Sequence, residues 1–417
     1  MDDTLTRNPH TALIPETQAR PADDPIFSLN AEARRRAATG ESILNATLGA
    51  LMTDSGGLLV PPSVAEAYRR IPLEHSSAYA PISGAPAFLA AVREDVLGGT
   101  GLFDRSVAVA TAGGTGAVLH SITTFLEPGQ SLLTSSYFWS PYSIIASHTG
   151  RGIETFRTFD EQGGFDLRSL EERLVAQIAD QGRALLILNF PCHNPTGYTL
   201  DEQEWAGLVD LLERHAARAP IAVLFDIAYS KFAAPGSERW VDHLDRLSRS
   251  AQVLVAWSAS KSFAQYGARI GALLAVQQDE SELQRVGNAL SYACRGTWSN
   301  CNHLGMLAIT ELLTAPDLRD RYAEDLSDMV ELLATRVQAF NRAAEGLDIV
   351  YPRYEGGFFV TVFTEHPEVM SARMQELGVF VVPLQGAVRI ALCATPVDQI
   401  PRLVRALAEG AAAAAAS

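Results

Sequence analysis

The residue types able to do chemistry lie in four short segments, each following an apolar run. Ser258-Ala259-Ser260-Lys261-Ser262-Phe263 comes after the run 253–257, and Gly267, Arg269 and Gly271 follow it. A lysine at the mouth of a sheet, ringed by small hydroxylated residues, loses its proton more easily than a solvated one. Only the neutral amine attacks a carbonyl to form an imine. Arg269 and the serines supply donors for a dianionic phosphate; the alternative is a solvated lysine in a polar loop. Asp226-Ile227-Ala228-Tyr229 closes the run 221–225. A carboxylate buried there unpaired is costly, so Asp226 should face a protonated pyridine nitrogen or a nearby arginine, unless it caps a helix. Thr111-Ala112-Gly113-Gly114-Thr115-Gly116 stands between a strand-like run and the helical stretch 117–126. Glycines let backbone N–H groups approach an anion, and a helix N-terminus favours negative charge, although a glycine cluster also simply makes a turn. Cys192-His193-Asn194-Pro195-Thr196-Gly197 follows the run 184–190. Asn-Pro reads as a turn on its own, and the Asn194 amide can also donate to a hydroxylate on a bound ring.

These segments need a frame. Short runs rich in Val, Ile, Leu and Ala at 106–111, 131–134, 184–190, 221–225, 253–257 and 270–276 read as strands buried on both faces. Amphipathic stretches such as 167–180 and 201–217 separate many of them, the latter opening with a capping-box pattern, Thr199-Leu200-Asp201-Glu202. That alternation predicts an α/β unit with a mainly parallel sheet, in which ligands sit at the carboxyl ends of the strands. A long helix over 318–344 then leads to strands at 349–351, 358–363, 380–382 and 388–392 around a helix at 367–377, a smaller α+β unit. The first 25 or so residues read as an extended polar arm, and the alanine-rich tail 410–417 as a fraying end.

Composition narrows the classes. The chain has 417 residues, 47% hydrophobic and 19% charged, which suits two or three globular domains. A net charge of -15 argues against a nucleic-acid partner. The four cysteines (Cys192, Cys294, Cys301, Cys393) show neither metal-ligand nor disulfide spacing. No signal-peptide core and no stretch of about 20 apolar residues is present, so the expectation is a cytoplasmic enzyme with no bound metal and no membrane contact.

In this order the four segments resemble the fold-type I pyridoxal-phosphate (PLP) enzymes, specifically the class I aminotransferases of the aspartate and aromatic group. The resemblance extends to Asn45-Ala46-Thr47-Leu48-Gly49-Ala50, Val60-Pro61-Pro62-Ser63-Val64, Tyr79-Ala80-Pro81-Ile82-Ser83-Gly84 and Val388-Arg389-Ile390, nearly the whole chain. It implies a large PLP-binding domain over 61–325, with a mainly parallel seven-stranded sheet flanked by helices. Residues 326–417 form a smaller α+β domain, to which 1–60 add an arm and a segment. It also implies a homodimer with shared active sites.

The resemblance further implies that Lys261 carries PLP as a Schiff base and then shuttles the proton, with Asp226 under the pyridine nitrogen and Tyr229 and Asn194 on the ring oxygen. Gly114, Thr115, Ser258 and Arg269 match the phosphate cup, Tyr79 the residue that reaches the neighbouring subunit's phosphate, and Trp139 the ring stacked on the cofactor, unless it is an ordinary core tryptophan. Arg389 matches the arginine that grips the substrate α-carboxylate, and Gly49 the segment that closes over the substrate. Arg295 aligns with the arginine that binds an acidic side chain across the dimer, the alternative being a structural arginine. The chain departs from the pattern at Gly113, where a hydroxylated residue is usual, and at Tyr142, which takes the place of a histidine behind Asp226. It departs again at Cys301-Asn302 in place of Pro-Pro, and at Leu51-Met52 in place of Tyr-Arg. The implied reaction is ping-pong transamination between an aromatic or dicarboxylic L-amino acid and a 2-oxo acid such as 2-oxoglutarate. A PLP-dependent lyase, decarboxylase or specialised biosynthetic enzyme on the same fold is the alternative.

Overall fold

The computed structural model describes residues 11–18, 20 and 25–417, so the expected N-terminal arm lies largely outside the described residues. Strand β1 (Leu44–Asn45) precedes the main sheet. That sheet is built from β2 (Ser106–Ala112), β3 (Ser131–Ser135), β4 (Gly152–Phe156), β5 (Ala184–Leu188), β6 (Ile221–Asp226), β7 (Gln252–Ser258) and β8 (Ile270–Val276). Its order is β2-β8-β7-β6-β5-β3-β4. Only β8 runs against its neighbours; the remaining pairs are parallel.

Every residue of β5, β6 and β8 is buried, and the strand period explains how. In β7, Val253, Val255 and Trp257 enter one core layer while Leu254 and Ala256 enter the layer on the opposite face. Strand β4 had no signature in the hydrophobic runs. It is the sheet's edge, mostly half-buried, and Gly-Ile-Glu-Thr-Phe interrupts any apolar stretch.

The smaller unit contains β9 (Phe359–Phe363), β10 (Val379–Phe380), β11 (Val382–Leu384) and β12 (Ala387–Ala391). The order β11-β12-β9 is antiparallel, and β10 pairs in parallel with β1. Of the strand expected at 349–351 only an isolated bridge, Val350 to Phe363, is formed. The helix Pro316–Ala344 ties the two units together. At about 1.5 Å per residue it is long enough to reach both cores. Leu318 and Tyr322 pack under the main sheet, Met329 and Leu333 beside Tyr229, and Val337 and Phe340 in the small core.

Three local expectations are corrected. The capping box belongs to Asp201 and Glu204, because Asp201 accepts from the Gln203 and Glu204 amides while Glu204 accepts from Asp201's own. Thr199 instead accepts from the Cys192 amide. The helix after β2 begins at Gly113 rather than past the glycines. The alanine tail continues the helix Ile400–Ala415, where Gly410 and Ala414 are buried. No helix among the described residues is long and apolar enough to cross a membrane.

Candidate active site

The carboxyl ends of β2, β3, β5, β6 and β7 and the start of the reversed β8 point to one edge of the sheet, and a cavity of about 350 Å³ opens there. Gly114, Thr115, Trp139, Asn194, Asp226, Tyr229, Ser258, Lys261 and Arg269, all singled out from the sequence, line it.

One end is an anion cradle. The helix Gly113–Phe125 has no side-chain cap at Ala112, so the amides of its first turn are available. Arg269 stands beside them, donating from Nη2 to Thr115 Oγ1 (3.2 Å) and from Nη1 to Ser260 Oγ (3.3 Å) and the Tyr266 carbonyl (2.9 Å). Gly113 has φ +70°, and a Cβ there would lie 2.5 Å from Arg269 Nη2. The missing hydroxyl at this position follows from that geometry: the guanidinium fills the space a side chain would need.

At the far end of β6, Asp226 is buried, and burial pushes its carboxyl above the ordinary range. Its Oδ2 accepts from the Tyr142 hydroxyl at 2.8 Å and its Oδ1 from the Ala228 amide at 3.3 Å. Burial, and then the charge of Asp226, holds the Tyr142 phenol far above its usual range, so it stays a donor. Asn189, which the sequence reading passed over, fixes the loop: its Nδ2 donates to the Asp226 carbonyl and its Oδ1 accepts from the Asn194 amide, both at 2.7 Å. Between these stations, Asn194 Nδ2 donates to the Tyr229 hydroxyl at 3.3 Å. The Asn194 Oδ1 is buried with no hydrogen-bond partner among the described residues.

Lys261 retains some surface on the cavity, but its amine is closed in by rings. The centroids of Tyr229, Tyr266 and Phe358 lie 5.4, 4.9 and 5.5 Å away. Burial, with smaller contributions from the charges of Arg389 and Arg269, lowers its pKa to about 8. The amine donates to the Gly49 carbonyl at 2.7 Å. Gly49 itself admits no side chain, since a Cβ would meet the Phe359 ring at 2.4 Å. Arg389, buried in β12, lies with its guanidinium 4.5 Å from the Phe359 centroid and donates to the Thr47 carbonyl at 2.9 Å.

Gly49 and Arg389 sit beside the cavity without lining it, and Tyr79 and Arg295 lie away from it within one chain. Tyr79 is 93% exposed, and Arg295 lies on the surface, donating to Ser299 at 3.1 Å. Besides Asn189, the lining includes Tyr266 and Phe27, which sequence reasoning also missed. Among the described residues no cluster of His, Cys, Asp or Glu could hold a metal.

PLP carries a dianionic phosphate, a basic ring nitrogen and a ring oxygen. The cradle at Gly114 and Arg269, the buried carboxylate of Asp226 and the Asn194–Tyr229 pair match those groups one for one, with an amine between them. The family described as aminotransferase class I and II matches residues 42–407. An aromatic-amino-acid aminotransferase of Paracoccus denitrificans is 29% identical over 396 residues, 93% of this chain and 97% of its own. An aspartate aminotransferase of Pseudomonas aeruginosa is 29% identical over 315 residues, 73% of this chain and 76% of its own. The crystal structure of an aminotransferase from Anaerococcus prevotii superposes with a TM-score of 0.91 at 29% identity, covering 96% of this chain and 99% of that one. With the site's geometry and these matches in agreement, the chain belongs to the class I and II aminotransferases, PLP-dependent enzymes that move an amino group between amino acids and 2-oxo acids.

Proposed function

We propose that this chain transfers the amino group of an aromatic or dicarboxylic L-amino acid to a 2-oxo acid such as 2-oxoglutarate, both partners using the one cavity in turn. Aromatic-amino-acid and aspartate aminotransferases among its relatives support that substrate range. PLP, when bound, supplies an electrophilic carbonyl and an electron-withdrawing ring that acidifies the amino acid's α-carbon.

The residues of the chain do the rest. Gly114, Thr115, Ser258 and Arg269 hold the phosphate through first-turn amides, hydroxyls and a planar guanidinium. Asp226, kept in place by Tyr142 and the Ala228 amide, would pair with the ring nitrogen and favour its protonated form. Tyr229 and Asn194, hydrogen-bonded to each other, would donate to the ring oxygen, and Trp139, packed edge-on against Tyr142 at 5.5 Å, would supply an aromatic surface for the ring. Arg389 grips the substrate α-carboxylate, and Gly49 brings its strap of chain over the amino acid. Lys261 Nζ would hold the cofactor's carbonyl carbon and, as a neutral amine, would take up and return the proton at the substrate Cα.

The observation that carries the reading is the Lys261 amine: with a pKa near 8 it is partly neutral at physiological pH, as both a nucleophile and a proton carrier must be. Replacing Lys261 with Ala should abolish turnover of every amino donor; a variant that keeps turning over would end the assignment.

The active unit in this reading is a homodimer, with Tyr79 reaching the neighbouring chain's phosphate and Arg295 its substrate. Support comes from large side chains left in water on one chain, among them Tyr79, Tyr292 and Leu73. The reading divides the chain near residues 60 and 325, supported by separate buried clusters under the two sheets. The four free cysteines support a reducing cytoplasm.

A further inference from the structure

The strap of chain that carries Gly49 is attached to both units. Toward the cavity, Lys261 Nζ donates to the Gly49 carbonyl at 2.7 Å, and the Leu51 amide donates to the Tyr266 hydroxyl at 2.8 Å. Its other attachments go to the smaller unit. Arg389 donates to the Thr47 carbonyl at 2.9 Å, and the Met52 amide donates to the Cys393 carbonyl at 3.0 Å. Arg336, from the long helix Pro316–Ala344, adds the largest share. Its Nη2 donates to the Met52 carbonyl and to Asp54 Oδ1, both at 2.7 Å, and its Nη1 donates to the Cys393 carbonyl. Asp54 Oδ1 also accepts from the Val397 amide at 3.2 Å. One guanidinium thereby joins the strap to the turn that follows β12.

Arg336 is fully buried, and among the buried residues of its helix it is the one that carries a charge; Met329, Leu333, Val337 and Phe340 beside it are apolar. Burying a guanidinium is costly, and an apolar side chain of similar volume commonly serves a core as well or better. Packing therefore does not account for this residue, whereas its donors do. Its Nε is buried with no partner among the described residues, so the fork is aimed at the strap and the turn rather than satisfied all round. Arg336, Met52, Asp54 and Cys393 do not line the cofactor cavity. A fault among them should reach the substrate side and spare PLP.

We propose that Arg336 is a positioning residue for substrate binding: it fixes the strap 47–54 to the smaller unit and so holds Gly49 and Leu51 against Lys261 and Tyr266. The inference rests on the reading above, in which this strap lies over the amino acid. The test compares the PLP-loaded wild type with two variants. Arg336→Lys keeps the charge, but an ammonium cannot serve three acceptors as a planar fork does. Asp54→Asn, at a half-exposed position, removes the charge of the ion pair and keeps its shape. Hydrogen exchange is read along the chain, and turnover of phenylalanine and aspartate with 2-oxoglutarate and PLP affinity are measured in parallel. The Met52, Thr53 and Leu59 amides, bonded to the Cys393, Gly57 and Leu51 carbonyls, should exchange about tenfold faster in Arg336→Lys, while those of β9 and β12 keep their rates. KM for the amino donor should rise about tenfold, with kcat and PLP affinity within about twofold. Asp54→Asn should show the same pattern at about threefold, and it decides by the same readouts if Arg336→Lys does not fold. Faster exchange spread equally through β9, β12 and the strap, with PLP affinity lost as well, would mark a merely structural role and overturn the proposal. So would a folded variant in which strap exchange or KM keeps its wild-type value. If the wild type turns over neither donor, the transamination reading falls, and strap exchange alone still decides the role of Arg336.

Discussion

Tyr142→Phe isolates one hydrogen bond at the centre of the site. The substitution removes the hydroxyl that donates to Asp226 Oδ2 at 2.8 Å and keeps the ring that packs edge-on against Trp139 and parallel to Phe138. A hydrogen bond to a charged group contributes roughly 1.5–3 kcal/mol. Its loss takes that donation away from the ionised form and so moves the Asp226 carboxyl further in the direction burial already pushes it. The sign follows directly. A carboxyl whose folded pKa is raised resists ionisation, and only the ionised form pairs with a protonated ring nitrogen. PLP affinity of the variant should therefore fall by about tenfold to a hundredfold, the same roughly 1.5–3 kcal/mol read as a binding ratio, with the larger loss at lower pH. The assay is fluorescence titration of apoenzyme with PLP at several pH values on either side of neutrality. Tyr142→His, which restores a donor, should regain most of the affinity. If wild type and Tyr142→Phe share one dissociation constant and one pH profile, Tyr142 does not act through Asp226 and the reasoning fails.

Two further outcomes are expected. Gly113→Ser places a side chain at φ +70° with its Cβ 2.5 Å from Arg269 Nη2, so it should destabilise the fold by about 1 kcal/mol or more and weaken PLP binding about tenfold through the displaced guanidinium; unaltered PLP affinity in a folded variant would contradict the cradle. Acid should also destabilise the apoenzyme. Burial lowers His120 to about 4 and His193 to about 3, so below the unfolded value of about 6.5 the unfolded chain binds the extra protons and stability is lost as pH falls. Asp226, raised by burial, acts in the opposite direction. Denaturant unfolding should show a loss on the order of a few kcal/mol between about pH 7 and pH 5, and a flat profile would mean that the two rings are not held neutral.

Much of this was legible because the informative signals are local. Runs such as Ile221–Asp226 and Ile270–Val276 are buried on both faces, so hydrophobicity alone marks them. A polar residue at the end of such a run, Asp226 or Lys261, then falls at the sheet's carboxyl edge whatever the details of the loop. What the sequence hid is set by tertiary contact. Edge strand β4 carries no apolar run. Asn189 is an ordinary polar residue until the fold turns its amide onto Asp226 and Asn194; its place directly after β5 was the available signal. Phe27 reaches the cavity only because its helix docks on β1 and β10 from the other unit, a contact with no sequence pattern of its own.

The departures from the family pattern become intelligible by the same route. Gly113 lacks the usual hydroxyl, and the structure puts the guanidinium of Arg269 where its side chain would go, so a stronger donor to phosphate takes the weaker one's space. Tyr142 replaces a ring that titrates near neutrality with a phenol that burial holds protonated. Its hydroxyl therefore stays a neutral donor to Asp226 across the working pH range, where an imidazole would change charge. Both changes leave the charge pattern facing the cofactor intact while altering the group that enforces it. Changes of that kind leave the cofactor-facing chemistry in place.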